Sequence, residues 1–366
     1  MADITVKNAA VFLLCLFVCS RYIVPRLCQE VLSRCLGYLA SLGLAYAVAA
    51  NYREGRLPAA GKAVLVTGCD AGIGHALARH LDRLGFRVFA GCLDERSEGA
   101  GELRRHCSAR LQVVQMDVTD DRQVAEVAQF VHSAVTVSGD VLWGVVNNAG
   151  IITLGEVEWV SVARYQKTID VNLLGMIRVV KAFLPMIRKC KGRIVNMSSI
   201  QGLYSSPCAS PYSITKYGVE ALSDSLRIEM AKWRVRTILI EPGNYAACTK
   251  AFEKSNLVQM MDSVWSETPD DVKADYGQAY YKRMLELLVR VSGYSAPTLR
   301  PVMEAVEEAL TEVNPPDRLV PANALSRIPT WLFCYLPSSL ADRMYTAAFS
   351  LLGVRVAGMR EEESGA

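Results

Sequence analysis

The feature that most constrains this chain is a short apolar run that ends in a cluster of glycines. Residues 63–66, Ala-Val-Leu-Val, have the pattern of a buried strand. They pass directly into Thr67-Gly68-Cys69-Asp70-Ala71-Gly72-Ile73-Gly74, and a helix-like stretch follows over 75–84. Strand, glycine loop and helix in that order make a turn suited to a pyrophosphate, because glycine lets the backbone come close and the helix N-terminus favours negative charge. A lone glycine motif is weak evidence, so context has to support it. Further strand-like segments lie at 87–90, 111–115, 141–146, 193–196 and 235–240, separated by helix-period stretches over about 121–136, 162–188 and 210–232. This alternation predicts an α/β fold, a doubly wound parallel sheet with helices on both faces.

A pyrophosphate turn followed by a second strand asks for a dinucleotide, and the residues after that strand indicate which one. A ribose 2′-phosphate needs a basic partner, whereas a free 2′-hydroxyl suits a carboxylate. The second strand leads into Cys92-Leu93-Asp94-Glu95, and the glycine loop holds Asp70 and no base. These acids favour NAD over NADP, with Asp94 as the ribose ligand or Cys92 in the acid's usual place; Arg96 is the contrary residue. Asp117, after the third strand, is placed either to meet the adenine or to cap a helix.

Tyr212-Ser-Ile-Thr-Lys216 opens a helical stretch, and a spacing of four puts both side chains on one face. A tyrosine near its ordinary pKa of about 10 is a poor base at neutral pH. A lysine cation nearby, together with a positively charged nicotinamide, would favour the phenolate and draw that value down. The pair does not stand alone. Ser198-Ser199 follows one strand and Asn147-Asn148-Ala149-Gly150 another.

Together with Asn172 and Pro242-Gly243, these motifs resemble the short-chain dehydrogenase/reductase family, in order and without a gap over about 62–250. The resemblance implies a Rossmann-type fold in which Tyr212 is the general acid/base and Ser199 hydrogen-bonds the substrate oxygen. Lys216 would hold the nicotinamide ribose, and Asn172 a water linking the lysine to solvent. It also places Gly68, Gly72, Ile73, Gly74, Asp94, Asp117, Asn148, Gly150, Pro242 and Gly243 along the cofactor. Asn148 holds the sheet as much as it touches the cofactor, and Cys208 and Tyr204 line the substrate pocket or belong to a surface loop. The wording of 62–70, 89–93, 102–119 and 216–224 is similar to a membrane-associated subgroup of hydroxysteroid, retinol and 3-hydroxybutyrate dehydrogenases. Those local matches point to different substrates.

Outside this core, residues 1–52 read as a membrane anchor of one or two helices. Asn8 to Ser20 is uncharged, and the 18 residues from Cys35 to Tyr52 would span roughly 27 Å as a helix, close to a bilayer core. A packed helical hairpin is the competing reading. A linker over 53–61 leads to the catalytic domain at 62–243. An aromatic-rich insert, 244–300, is expected to cover the cleft as a lid, and a helical extension and tail fill 301–366. Pro329 to Gly353 either touches the bilayer or packs on the core. An endoplasmic reticulum membrane, or alternatively a mitochondrial one, is the expected location.

Composition narrows the function classes. A net charge of +3 with no long basic run gives nucleic-acid binding little support. The 11 cysteines form no Cys-x-x-Cys pair and do not space with the four histidines as metal ligands, so reduced thiols and no metal are expected. Asn196-Met-Ser198 matches a glycosylation triplet but ends an apolar run, which makes it a chance match. The leading expectation is hydride transfer between NAD and a secondary hydroxyl or ketone of a small lipophilic substrate, a steroid or a retinoid, by an enzyme in contact with membrane lipids and able to form a homo-oligomer. The alternative is 3-hydroxybutyrate, whose carboxylate would need a base such as Lys250 or Lys254. A catalytically silent nucleotide-binding scaffold is disfavoured by the complete Ser199, Tyr212 and Lys216 set.

Overall fold

The computed structural model describes residues 17–18, 21–22, 24–51, 55–249 and 253–351. The chain divides into two units, Met1–Glu54 and Gly55–Ala366.

In the first unit, helix α1 runs Val24–Asn51 and takes up the second apolar run. Its leucines are diluted by Gly37, Tyr38, Ser41, Gly43 and Asn51, and Arg34 lies within it. Among the described residues no helix is long and apolar enough to cross a membrane. Leu36, Leu39, Leu42 and Leu44 along it are exposed. The first run, 8–20, lies almost wholly outside the described residues.

The second unit is built on one parallel sheet. Its strands are β1 (Lys62–Thr67), β2 (Arg87–Cys92), β3 (Leu111–Gln115), β4 (Val141–Asn147), β5 (Arg193–Met197), β6 (Arg236–Ile240) and β7 (Arg318–Leu319), in the order β3-β2-β1-β4-β5-β6-β7. Successive side chains of a strand face opposite sides, so β1 feeds two cores. Val64 and Val66 pack with α2 (Gly72–Arg83), α3 (Glu98–His106) and the late helix α11 (Arg300–Thr311), whose numbering follows from the helices between. Ala63 and Leu65 pack with α4 (Asp121–Ser138), α6 (Gly175–Cys190) and α7 (Ser210–Ala231). Burial on both faces is why these strands read as apolar runs rather than alternating ones.

The expected helix over 162–188 is broken. α5 (Val162–Ile169) passes through one wide π turn, Asp170–Leu174, before α6 begins. The insert forms α8 (Lys254–Glu267), α9 (Asp270–Tyr276) and α10 (Gln278–Gly293), and after β7 come α12 (Ala324–Tyr335) and α13 (Ser338–Leu351). The chain order reverses between β1 and β4. In open α/β sheets a crevice forms there, beyond the carboxyl ends of the strands. Thr67, Asn147, Met197 and Ile240 all end their strands along that edge.

Candidate active site

The first wall of the crevice is the glycine turn. Thr67 Oγ1 accepts hydrogen bonds from the backbone N–H groups of Asn148 (3.0 Å) and Ala149 (2.9 Å), which fastens β1 to the end of β4. Asn148 Nδ2 donates back to the carbonyls of Thr67 (2.8 Å) and Gly68 (3.2 Å). This close approach dictates glycine: a Cβ on Gly68, which has φ +71°, would lie 2.8 Å from Ala149 Cα, and one on Gly74 only 2.1 Å from the Gly68 carbonyl oxygen. No side chain caps α2 at Ala71, while Ile73 packs against the core beneath it. A tight turn without side chains, facing a helix start that no side chain occupies, fits a pyrophosphate.

The acids expected at the ribose divide their work. Asp70 is a clamp: its carboxylate accepts from the backbone N–H groups of Leu93 (2.8 Å) and Asp94 (3.0 Å), tying the glycine turn to the loop after β2. Asp94 is exposed and accepts from Arg96 N at 2.8 Å. Cys92 is fully buried in the core, which removes it as a ribose ligand. Asp117 closes a local turn on Thr119, N at 2.8 Å and Oγ1 at 2.7 Å; the cap of α4 is Asp120.

Across the crevice, Ser199 follows β5 and its Oγ accepts from Gln201 N at 3.2 Å. The Tyr212 hydroxyl faces Ser199, which favours its ionised form. Tyr212 lies in the first turn of α7, where Pro211 presets the backbone. One turn later Lys216 is buried; its Nζ donates to the Met197 carbonyl (2.8 Å) and sits 5.3 Å from the centre of the Tyr212 ring. The Pro242 carbonyl accepts from Ile200 N at 3.1 Å, and Gly243 N donates to Pro321 O at 3.1 Å. Ser199, Tyr212, Lys216 and the Pro-Gly turn thus converge on one place.

Asn172 is buried beside the pair. Both ends of its amide are engaged by the protein: Oδ1 accepts from Ile151 N (2.8 Å), and Nδ2 donates to Ile151 O (2.8 Å) and Thr215 Oγ1 (3.1 Å). The π turn aims it there, and Gly150 lies against its Oδ1. The side chain therefore fixes the loop after the Asn-Asn-Ala-Gly motif. Burial dominates the electrostatics. It pushes Tyr212 up to about 12, against the pull of Ser199, and pushes Lys216 down to about 8, against the Glu220 carboxylate. Burial sets the direction for both groups in this structure.

Sequence reading missed an aromatic box beside the site. Trp159 is 1% exposed and meets Trp265, Tyr276, Tyr280 and Tyr281 edge-on, with ring centres 5.0, 5.3, 5.8 and 6.1 Å away. It joins the lid helices to the 154–160 loop and to Cys208 and Ala209. Glu156 Oε1 accepts from Tyr280 (2.9 Å) and from Cys208 Sγ (3.6 Å). Cys208 borders a cavity of about 500 Å³ between this loop and α13. Tyr204 stacks on Phe333, and Phe333 on Tyr345, so α12 and α13 pack on the substrate loop. The aromatics of the insert were visible, but nothing local indicated that Trp159 would gather them. Asn196 is fully buried between Asn147 and Ser223, which removes the glycosylation triplet.

A family model described as short chain dehydrogenase matches residues 62–257. The chain is 41% identical over 291 residues to the mitochondrial D-beta-hydroxybutyrate dehydrogenase of Bos taurus, covering 79% of this chain and 85% of that one. It is 38% identical over 304 residues to estradiol 17-beta-dehydrogenase 2 of Mus musculus, covering 80% and 76%. A short chain dehydrogenase/reductase from Burkholderia phymatum, solved in complex with NAD, shares the fold with a TM-score of 0.58 at 22% identity, over 75% of this chain and 94% of that one.

The glycine turn yields a direct test. Gly74→Ala brings a Cβ against backbone, which cannot move aside, so the turn has to open. NADH titrations followed by fluorescence should show affinity at least about tenfold weaker, and thermal unfolding a loss of about 1–3 kcal/mol, the usual cost of overpacking. Unchanged affinity would mean the cofactor does not use this turn.

Proposed function

The chain belongs to the short chain dehydrogenase family, and we propose that within it the protein is an NAD-dependent dehydrogenase for a secondary hydroxyl or ketone on a neutral lipophilic substrate, a steroid or a retinoid. That it is an NAD(P)-dependent oxidoreductase acting on hydroxyl and keto groups follows from the family and its dehydrogenase relatives. The observation that carries the mechanism is the convergence of the Tyr212 hydroxyl, Ser199 and the Lys216 ammonium at the strand ends.

Ser199 orients the substrate oxygen beside Tyr212. For oxidation the Tyr212 phenolate takes the hydroxyl proton; for reduction the phenol returns it to the ketone oxygen. Lys216 steadies the phenolate through its positive charge and would also hold the nicotinamide ribose, while Pro242 and Gly243 form the wall beside the ring. Bound NAD supplies the hydride acceptor at the substrate carbon. The glycine turn of Gly68, Gly72 and Gly74 would take the pyrophosphate. Gly150 and Asn148 border the cofactor, Asp94 would accept from the adenosine ribose, and Asp117 would lie near the adenine.

Charge and apolarity around the cleft support a neutral substrate. The aromatic box and Glu156 face the loop between Ser199 and Tyr212. Of the cations described in and beside the lid, Arg164 pairs with Glu267 and Lys273 with Asp270, and Lys254 is exposed. Lys250 lies outside the described residues. The identity to the bovine hydroxybutyrate enzyme keeps (R)-3-hydroxybutyrate as the second reading. Membrane association, at the endoplasmic reticulum or the mitochondrion, is supported by the uncharged run 8–20 and by the exposed leucines of α1. Lipids and a second copy of the chain are the proposed macroscopic partners.

Tyr212→Phe should reduce turnover by at least about a thousandfold while NADH affinity stays within a few-fold, because only the proton-transfer group is lost. A panel of estradiol, retinol and both enantiomers of 3-hydroxybutyrate, read by NADH formation, measures this and identifies the substrate. NAD should be preferred over NADP by at least about tenfold, roughly 1.4 kcal/mol, from the acids at the ribose; equal use would show that Arg96 outweighs them. The full chain should stay in the pellet after carbonate extraction, whereas residues 55–366 alone should be released by salt or mild detergent. Full-length protein that washes off in salt would remove the membrane reading.

A further inference from the structure

Behind the catalytic pair is a buried cluster of charges that the mechanism above does not use. Glu220 stands one turn of α7 beyond Lys216, on the same face of the helix, and both are buried. Arg318 reaches in from the edge strand β7. Its Nη1 donates to Glu220 and to Glu241 Oε1 (2.6 Å), and its Nη2 to both carboxylate oxygens of Asp224 (3.1 Å each). Glu241 is 2% exposed, ends the β6 segment just before Pro242, and lies within hydrogen-bonding reach of Glu220. No donor among the described residues reaches Glu220 Oε1, which is buried.

The surrounding charges complete the set. On α7, Arg227 faces Asp224 (3.4 Å) and Asp317 (4.0 Å), and from α12 Cys334 faces Glu241. Lys216 meets the Met197 carbonyl from β5 and Tyr212 from its own helix; Glu220 is the carboxylate that acts on it.

Two carboxylates buried side by side cannot both stay ionised without a cation between them. Arg318 is that cation. Burial and the nearby Glu220 push Glu241 up to about 7 even so. Glu241 is therefore the member that takes up a proton as pH falls. We propose that Glu220 is a positioning residue for Lys216, and that Arg318, bound to Glu220 and Glu241 together, holds the Glu220 carboxylate one turn beyond the lysine. The proposal rests on the reading of Lys216 as the residue that holds the nicotinamide ribose.

The sign is fixed by the geometry. Loss of the Glu220 charge removes what opposes desolvation of Lys216, so the lysine gives up its proton at lower pH.

NADH affinity of the full chain, measured by fluorescence across the neutral and alkaline range, reads this without a known substrate. Wild-type affinity should weaken around the pH at which Lys216 loses its proton. Glu220→Gln should move that midpoint down by about half a pH unit or more, and Glu241→Gln should leave it in place. Thermal midpoints taken alongside separate lost fold from lost tuning. If either variant fails to fold, Glu220→Asp, which withdraws the carboxylate from the lysine, should give a smaller shift in the same direction. A midpoint that depends on Lys216 but not on Glu220, or one moved equally by Glu241→Gln, overturns the proposal alone. A midpoint that survives in Lys216→Met overturns the role of Lys216 and the proposal with it.

Discussion

Burying an ammonium group costs several kcal/mol unless partners replace its water, and the site is organised around how Lys216 meets that cost. Its one direct hydrogen bond goes to the carbonyl of Met197, the last residue of β5. That bond exists only because α7 crosses the strand end at one fixed height, with Val219, Leu226 and Met230 packed against the sheet. The same height carries Tyr212 to Ser199, one residue beyond Ser198 at the strand end. A helix shifted by one residue would turn both side chains away, so the packing of α7 and the chemistry of its first two turns are one constraint.

The opposite wall of the crevice is governed by backbone proximity. Thr67, Asn148 and the Gly68 carbonyl tie the ends of β1 and β4 together so closely that Gly74 has room for nothing larger than hydrogen. Asp70 then extends this clamp to the loop after β2. The two walls are therefore both anchored on strand ends of a single rigid sheet, while the lid that faces them is held by its own aromatic core around Trp159. A rigid floor with a separately packed cover leaves substrate choice to the cover and the chemistry to the floor.

What could be read from the sequence was whatever is encoded locally. The glycine turn, the apolar strands and the Tyr212 to Lys216 spacing each announce themselves within a few residues, and the structure brings the last two together with Ser199. The misses are non-local. Asp70 reads only as an acid that disfavours a phosphate until its carboxylate is seen holding Leu93 and Asp94 N–H groups more than twenty residues away. Cys92 looks available until the strand's pleat turns it into the core. The π turn around Asn172 has no signature in an otherwise regular helical pattern. β7 is two residues long, too short to show periodicity, yet it carries Arg318 into the cluster behind Lys216. The anchor expected over 35–52 was read from its length and lack of charge, and among the described residues no helix is long and apolar enough to cross a membrane.

The central claim is that one buried tyrosine passes the proton in both directions of the reaction. It is tested most directly by the pH dependence of kcat/KM for the alcohol that reduces NAD and for the matching ketone. Oxidation requires the Tyr212 phenolate, which burial makes scarce at neutral pH, so its rate should climb steeply with pH, by up to about tenfold per unit on the rising limb. Ketone reduction requires the phenol and should be flat or fall over the same range. Profiles with the same slope in both directions, or a rising limb that persists in Tyr212→Phe, would contradict the account.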